Sequence, residues 1–152
     1  MDKFKLSRAP ISIKLLMTNL LCVVGLIYLC LIIHIWQDTQ MKPALIAKGY
    51  CSMEAMELTE QAHKYLPYYA IYIFLVPTIL FMFTSFSEKI KRLFAVLPYL
   101  LIIIDIGSMC LIPYVSLRFC WALFFAGMFL AILFLLLFIL NIFDIWFRKK
   151  TA

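Results

Sequence analysis

Four long apolar segments, interrupted by short polar stretches, divide the chain. They are residues 15–36, 68–86, 93–113 and 120–143. Each is close to the roughly 20 residues that an α-helix needs to cross a bilayer. A signal-peptide core has only about 7–15 apolar residues, so the first segment is predicted to be an uncleaved membrane helix. The pattern predicts an all-α fold, an integral membrane four-helix bundle that forms a single domain over residues 1–152.

The longest polar segment, residues 37–67, separates the first two predicted spans and forms an outer loop. A short outer helical segment is predicted from Ser52 to Tyr65. Ser52 would be its N-cap, and acidic residues in its first turns suit the positive end of a helix. Within the second span, Pro77 lacks a backbone N–H and predicts a bend.

Positive charge is concentrated on one side of the predicted bundle. Ten of the 14 Lys and Arg residues lie in the N-terminal segment, the 87–92 turn and the C-terminal segment, and four lie in the 37–67 loop and at Arg118. Cytoplasmic segments of membrane proteins carry the excess of Lys and Arg. Both termini are therefore predicted to be cytoplasmic. This topology accounts for the net charge of +6 without a nucleic-acid partner.

Composition excludes a large aqueous domain, because 66% of the residues are hydrophobic and only 14% are charged, against about 25% charged in soluble domains. The five cysteines form no C-x-x-C motif, and their odd number leaves at least one unpaired within the chain. Cys51, Cys110 and Cys120 lie on or near the predicted outer side, and the sequence leaves any pairing among them open.

Asp105 is the most informative single residue, because it lies well inside the third span. A charged acid at mid-membrane costs about 2.5–3.5 kcal/mol on insertion scales, so it is expected to face the bundle interior. Ser108, one turn away, could donate a hydrogen bond to it. Three roles remain open: a neutral hydrogen-bonding staple between helices, a partner of His34 or Arg118, or part of a polar site that binds an ion or cofactor.

A second group of candidate ligands lies on the predicted outer side: His34, His63, Tyr65 and Arg118. Two histidines facing each other could hold a haem iron or, with a carboxylate such as Asp105, a metal ion. The alternative is that these side chains only solvate the headgroup boundary. No H-E-x-x-H motif, catalytic triad or phosphate-binding loop is present, so catalytic residues and the identity of any metal or cofactor are not assigned.

The pattern LP…DIG…YVS runs through residues 93–131, and ELTEQAHKYLP, residues 57–67, precedes it. These stretches resemble a family of uncharacterised bacterial four-helix inner-membrane proteins, whose members are sometimes mislabelled as a translation elongation factor. The residues that match are Asp105, Gly107, Tyr114, Val115, Ser116 and His63. Tyr65 stands where a second His is expected, and Gly49 stands where a His precedes the outer-loop Tyr. The resemblance implies an architecture and leaves the role open.

The leading hypothesis is a multi-pass protein of a bacterial inner membrane that acts as a non-enzymatic accessory or structural subunit. It would work through helix packing with a membrane-protein partner or in a homo-oligomer. The first alternative is a haem- or metal-binding redox component that uses His34, His63 and Asp105. The second is a small proton-linked transporter that uses Asp105.

Overall fold

The computed structural model describes residues 5–148, and these residues form five helices without any β-strand. A single 3₁₀ turn, Leu6–Arg8, precedes the first helix. The helices are α1 (Ile11–Thr39), α2 (Pro43–Tyr50), α3 (Ala55–Met82), α4 (Glu88–Tyr114) and α5 (Phe119–Trp146). The predicted all-α architecture is confirmed.

Four of these helices, α1, α3, α4 and α5, have 27 to 29 residues and are long and apolar enough to cross a membrane. About 20 residues suffice for a span, so each of these helices is longer than a span requires. The chain is a multi-pass membrane protein with the predicted number of crossings. The second span was predicted to continue to residue 86, but α3 ends at Met82 and residues 83–87 form the turn.

The irregular part of α3 lies between its two prolines, Pro67 and Pro77. Residues Tyr68–Leu75 form a π-helical segment, with regular α-helix before it (Ala55–Pro67) and after it (Val76–Met82). Pro77 cannot donate a backbone hydrogen bond, and a π-helical segment accommodates such a gap by shifting the hydrogen bonds by one residue. A bend was predicted at Pro77, and the irregularity found there is a π-helical segment, which is wider than a regular α-helix.

The short helix α2 packs against the bundle end that also holds the turn between α4 and α5. Its buried residue Ile46 contacts Ile112 of α4 and Cys120 of α5 in one apolar cluster. The following helix begins at Ala55, and its N-cap is Glu54, which forms a reciprocal capping box with Glu57. The prediction that Ser52 caps this helix is therefore wrong. A carboxylate at the N-cap accepts the free backbone N–H groups as a serine hydroxyl would.

The opposite end of the bundle, here called the terminal end, holds the start of α1, the end of α5 and the turn between α3 and α4. Lys14 Nζ donates to the Ile145 carbonyl oxygen at 2.6 Å, and Trp146 Nε1 donates to Thr18 Oγ1 at 2.9 Å. The backbone N–H of Leu6 donates to the Phe83 carbonyl oxygen at 3.0 Å. The first two bonds join α1 to α5, and the third joins the segment before α1 to the turn between α3 and α4. Lys3, Lys149 and Lys150, which entered the charge count, lie outside the described residues.

The bundle core is apolar and rich in aromatic rings. The ring of Tyr28 packs 4.4 Å from the ring of Phe134 and 6.5 Å from that of Phe74, centroid to centroid, which joins α1, α3 and α5. Large rings and aliphatic groups packed together supply most of the apolar surface that the bundle buries. Its other buried members are Val24, Leu31, Tyr69, Ile73, Phe81, Phe94, Ile102, Leu130, Leu133 and Leu137.

Candidate functional site

Asp105 lies on the buried face of α4, about nine residues before the helix ends at Tyr114. Only 6% of the residue is exposed. Its neighbours on this face are Ile102, Ser108 and Met109, which are also buried. Their spacing of three and four residues places all of them on one side of an α-helix. At 1.5 Å per residue, Asp105 is roughly 13 Å below the α2 end of the helix.

Groups from all five helices lie near the Asp105 carboxyl. Tyr28 of α1, Tyr50 of α2 and Tyr69 of α3 lie within electrostatic range of it. On α5, a Cβ atom added to Gly127 would lie 3.8 Å from Asp105 Oδ1, an ordinary van der Waals distance. We call Asp105, the three tyrosines and Gly127 the Asp105 chamber. Its position beneath α2 places it in the half of the bundle away from the terminal end.

The Asp105 carboxyl makes no hydrogen bond or ion pair with any residue between 5 and 148. In particular, Ser108 does not donate to it, although the spacing predicted that bond. The fully enclosed side-chain oxygens without a partner in this range belong to Gln61, Thr78, Asn141 and Asp144. The Asp105 oxygens are not among them, so the carboxyl keeps an opening. A buried carboxyl without a partner is costly unless a proton or a cation neutralises it.

Tyr50, which lies outside the four spans, keeps its hydroxyl proton under ordinary conditions. Burial raises the pKa of this phenol, and the charges of Tyr65 and Asp105 raise it further. A neutral tyrosine hydroxyl can donate one hydrogen bond and offers lone pairs to a donor or a cation. Tyr50 therefore contributes a polar but uncharged group to the chamber.

The structure brings together only two of the four predicted outer-side ligands. His34 and Tyr65 line a groove of about 190 Å³ between α1 and α3, and the other residues that line it are Cys30, Leu31, Lys64 and Tyr68. His34 Nε2 lies 3.5 Å from Asp38 Oδ2 on its own helix. His63 and Arg118 are exposed and do not line this groove. The predicted pairing of His34 or Arg118 with Asp105 is not present.

A metal centre made of His, Cys, Asp and Glu ligands does not form in the described part of the chain. Within residues 5–148, no three such side chains are grouped so that they could hold a metal ion. His34 and His63 therefore do not form a three-ligand site with Asp105. All five cysteines are free; Cys51 is exposed, Cys110 is half-buried and Cys120 is buried.

Asp144, which was not among the residues predicted to be functional, is completely buried near the terminal end. Its Oδ1 accepts a hydrogen bond of 3.0 Å from the backbone N–H of Ser85 and lies 3.3 Å from Arg148 Nη1. Asp144 thus links α5 to the turn between α3 and α4. The signal in the sequence was the spacing of four residues between Asp144 and Arg148, which favours an ion pair on a helix.

A seam on the lipid-facing side of α1 follows from which residues of this helix are exposed in the structure. Residues separated alternately by three and four positions are exposed along this helix, and Asn19 is the most polar of them. This spacing is the heptad pattern by which two helices pack along a common seam. The α1 seam consists of Ser12, Leu15, Asn19, Cys22, Leu26, Leu29 and Ile33.

Comparison with known families adds one finding. A family described as a transmembrane helical domain matches residues 50–152. This region includes α3, α4 and α5 and therefore Asp105 and Gly127. No significant match is found among curated proteins or among solved structures.

Proposed function

Because this chain belongs to the Aq_1264_TM family of transmembrane helical domains, we propose that it acts as a non-enzymatic structural subunit that pairs with a second copy of itself in the membrane. The observation that carries the proposal is the α1 seam, which leaves the polar side chain of Asn19 facing away from its own bundle. Two copies of α1, packed in parallel along this seam, would cover it.

The chemistry of the seam supports a second copy as the occupant. The side chain of Asn19 makes no hydrogen bond within residues 5–148, and a primary amide carries both donors and acceptors. Around a two-fold axis, Asn19 of each copy would face the other and both amides would be paired. In coiled coils, a single Asn at an a position of the heptad, the position that Asn19 has in the seam, fixes the register of the two helices. Between membrane helices, polar side chains likewise form hydrogen bonds that hold the helices together.

A comparison with α5 supports a special role for this face of α1. The exposed residues of α5 between Trp121 and Phe143 are all aliphatic, aromatic or methionine, as expected for contact with lipid. Asn19 is instead an exposed amide within a span, where a polar group without a partner is costly. Pairing of two copies would remove this cost.

The proposed setting is a bacterial inner membrane with both termini in the cytoplasm. The concentration of Lys and Arg near the termini and at residues 87–92, where α4 begins, supports this orientation. The bonds that hold both chain ends at the terminal end are consistent with it, because they require an even number of crossings.

Oxidative cross-linking tests the dimer directly. In a variant that retains only Cys22, two parallel copies of α1 would bring these thiols together, because Cys22 lies within the seam. We expect copper-phenanthroline treatment of native membranes to give a covalent dimer, and we expect Asn19→Leu to reduce its yield severalfold. A cysteine-free variant with Leu20→Cys is the matched control, since residue 20 points away from the seam, and it should not cross-link.

Three outcomes would overturn the dimer. One is a Cys22 variant that gives no more dimer than the Leu20→Cys control. Another is a cross-link that is insensitive to Asn19→Leu. The third is a cross-link to a different protein, which would assign the seam to a heterologous partner.

A further inference from the structure

The Asp105 chamber has the features of an ion-binding site, and we infer that it binds a monovalent metal cation through the Asp105 carboxylate and the hydroxyls of Tyr28, Tyr50 and Tyr69. This inference concerns the interior of one copy, so it does not depend on the α1 seam or on the proposed dimer.

Burial and missing partners together point to a ligand. Asp105 is 6% exposed and has neither a hydrogen bond nor an ion pair within residues 5–148, yet its oxygens are not fully enclosed. A polar group in such a place normally has a partner, and a bound ion can provide one. Tyr28 and Tyr69 are also buried, at 5% and 6% exposure. Neither hydroxyl takes part in a hydrogen bond in the described residues.

The single negative charge of the chamber favours a monovalent over a divalent cation. The chamber contains one acid, and its other ligands are neutral hydroxyls. One positive charge would neutralise the carboxylate, whereas a divalent cation would leave a net positive charge in a low-dielectric interior at a large cost. Oxygen ligands are those that hard cations prefer. The lack of a three-ligand His, Cys, Asp and Glu group in the described residues agrees with this selection, since such groups typically hold divalent metals.

The ligands of the site lie on four different helices, so the site can form only in the folded protein. Tyr28 comes from α1, Tyr50 from α2 and Tyr69 from α3, while Asp105 lies on α4. A cation bound by these groups would be held only when the four helices are assembled. A ligand that binds the folded state alone stabilises it by mass action, so thermal unfolding should report binding.

The experiment measures thermal unfolding of the purified full-length protein in detergent at alkaline pH, where the carboxylate is ionised. Sodium chloride and potassium chloride are each compared with choline chloride at equal ionic strength, since choline is a quaternary ammonium whose methyl groups prevent direct coordination of the charge by oxygen ligands. In at least one metal salt we expect the unfolding temperature to rise by about 5–10 °C at about a hundred times the dissociation constant.

Two variants and one control test whether the rise in unfolding temperature depends on the chamber. Asp105→Asn should abolish the difference between the salts, because the amide carries no charge. Tyr69→Phe should reduce it by weakening the site without removing its charge, and it keeps the test decisive if Asp105→Asn does not fold. Glu60→Gln is the matched control, since Glu60 is an exposed acid in the first turns of α3, near the same end of the bundle, and its loss should leave the rise unchanged.

The inference is overturned if the wild-type protein unfolds at the same temperature in all three salts. It is also overturned if Asp105→Asn or Tyr69→Phe keeps the full rise. Dependence of the unfolding temperature on pH alone, without a difference between salts, would assign the carboxyl to simple protonation and would likewise exclude the cation site.

Discussion

The side-chain amide of Asn141 donates a hydrogen bond of 3.0 Å to the backbone carbonyl oxygen of Pro77. This bond joins α5 to α3 just beyond the π-helical segment Tyr68–Leu75. The same Nδ2 atom donates to the Leu137 carbonyl oxygen at 2.8 Å, and the residue is completely buried. An asparagine in an apolar interior thus fixes the position of α5 at the irregular part of α3.

Replacement of Asn141 by leucine should destabilise the bundle by about 1 kcal/mol, a typical size for a hydrogen bond between membrane helices. The loss is modest because Asn141 Oδ1 is buried without a partner. Leucine removes this unpaired oxygen, which offsets part of the stability lost with the hydrogen bonds. Equilibrium unfolding in mixed micelles measures the change. Ile139→Val, at an exposed position on the same helix, is the control, and equal stability of the two variants would contradict this role for Asn141.

Loss of the buried carboxylate at the terminal end should have a larger effect. Asp144→Ala leaves the Ser85 N–H without its acceptor and Arg148 without its counterion. We expect a loss of about 2–3 kcal/mol in the free energy of unfolding, below the cost of an unpaired fully buried charge because the partly exposed Arg148 can turn to water. Asp38→Ala removes an exposed ion pair and should cost under about 0.5 kcal/mol. Similar losses in both variants would show that Asp144 does not join the helices.

Side-chain size at position 127 should determine whether the Asp105 chamber stays open. Gly127→Ala should fold with equal or slightly higher stability, because the added Cβ meets Asp105 Oδ1 at 3.8 Å and alanine favours the helix. Gly127→Leu should destabilise the protein by about 1–3 kcal/mol through overpacking against α4. Thermal unfolding of both variants measures these effects. A leucine tolerated as well as alanine would mean that α4 and α5 are not in close contact at this level.

The orientation in the membrane can be tested by chemical labelling. Cys51 is exposed beyond α2, and Ser87 is exposed in the turn between α3 and α4 at the terminal end. In intact cells, a membrane-impermeant maleimide should label a variant that retains only Cys51. A cysteine-free variant with Ser87→Cys should be labelled only after permeabilisation. The reverse pattern would place the termini outside the cell.

The charge pattern and the apolar segments predicted much of the fold because both are local properties. Four uncharged segments of sufficient length indicate four membrane helices whatever their neighbours are. The face of α4 that carries Asp105 could likewise be predicted, because a helix places residues three and four apart on one side. The predicted Ser52 cap was wrong, since Ser52 and Glu54 both favour an N-cap and local preference does not decide between neighbouring candidates.

The positions of side chains from different helices could not be predicted in the same way. The spacing suggested that Ser108 would donate to Asp105, but the structure shows no such bond and places Tyr28, Tyr50 and Tyr69 within electrostatic range of that carboxyl. These tyrosines are separated from Asp105 by between 36 and 77 residues of sequence. Which of them meet depends on how the helices are rotated and how α2 packs on the bundle.

The sequence by itself determined the class of this protein, because hydrophobicity and the lengths of apolar segments are summed along a single chain. It also determined that an acid in the third span must face inward, since lipid cannot solvate it. The tertiary structure alone decided what that acid faces and that Asp144 joins α5 to the turn between α3 and α4. The reason is that a contact between helices depends on the relative rotation and depth of both, and side-chain packing sets these quantities across the whole bundle.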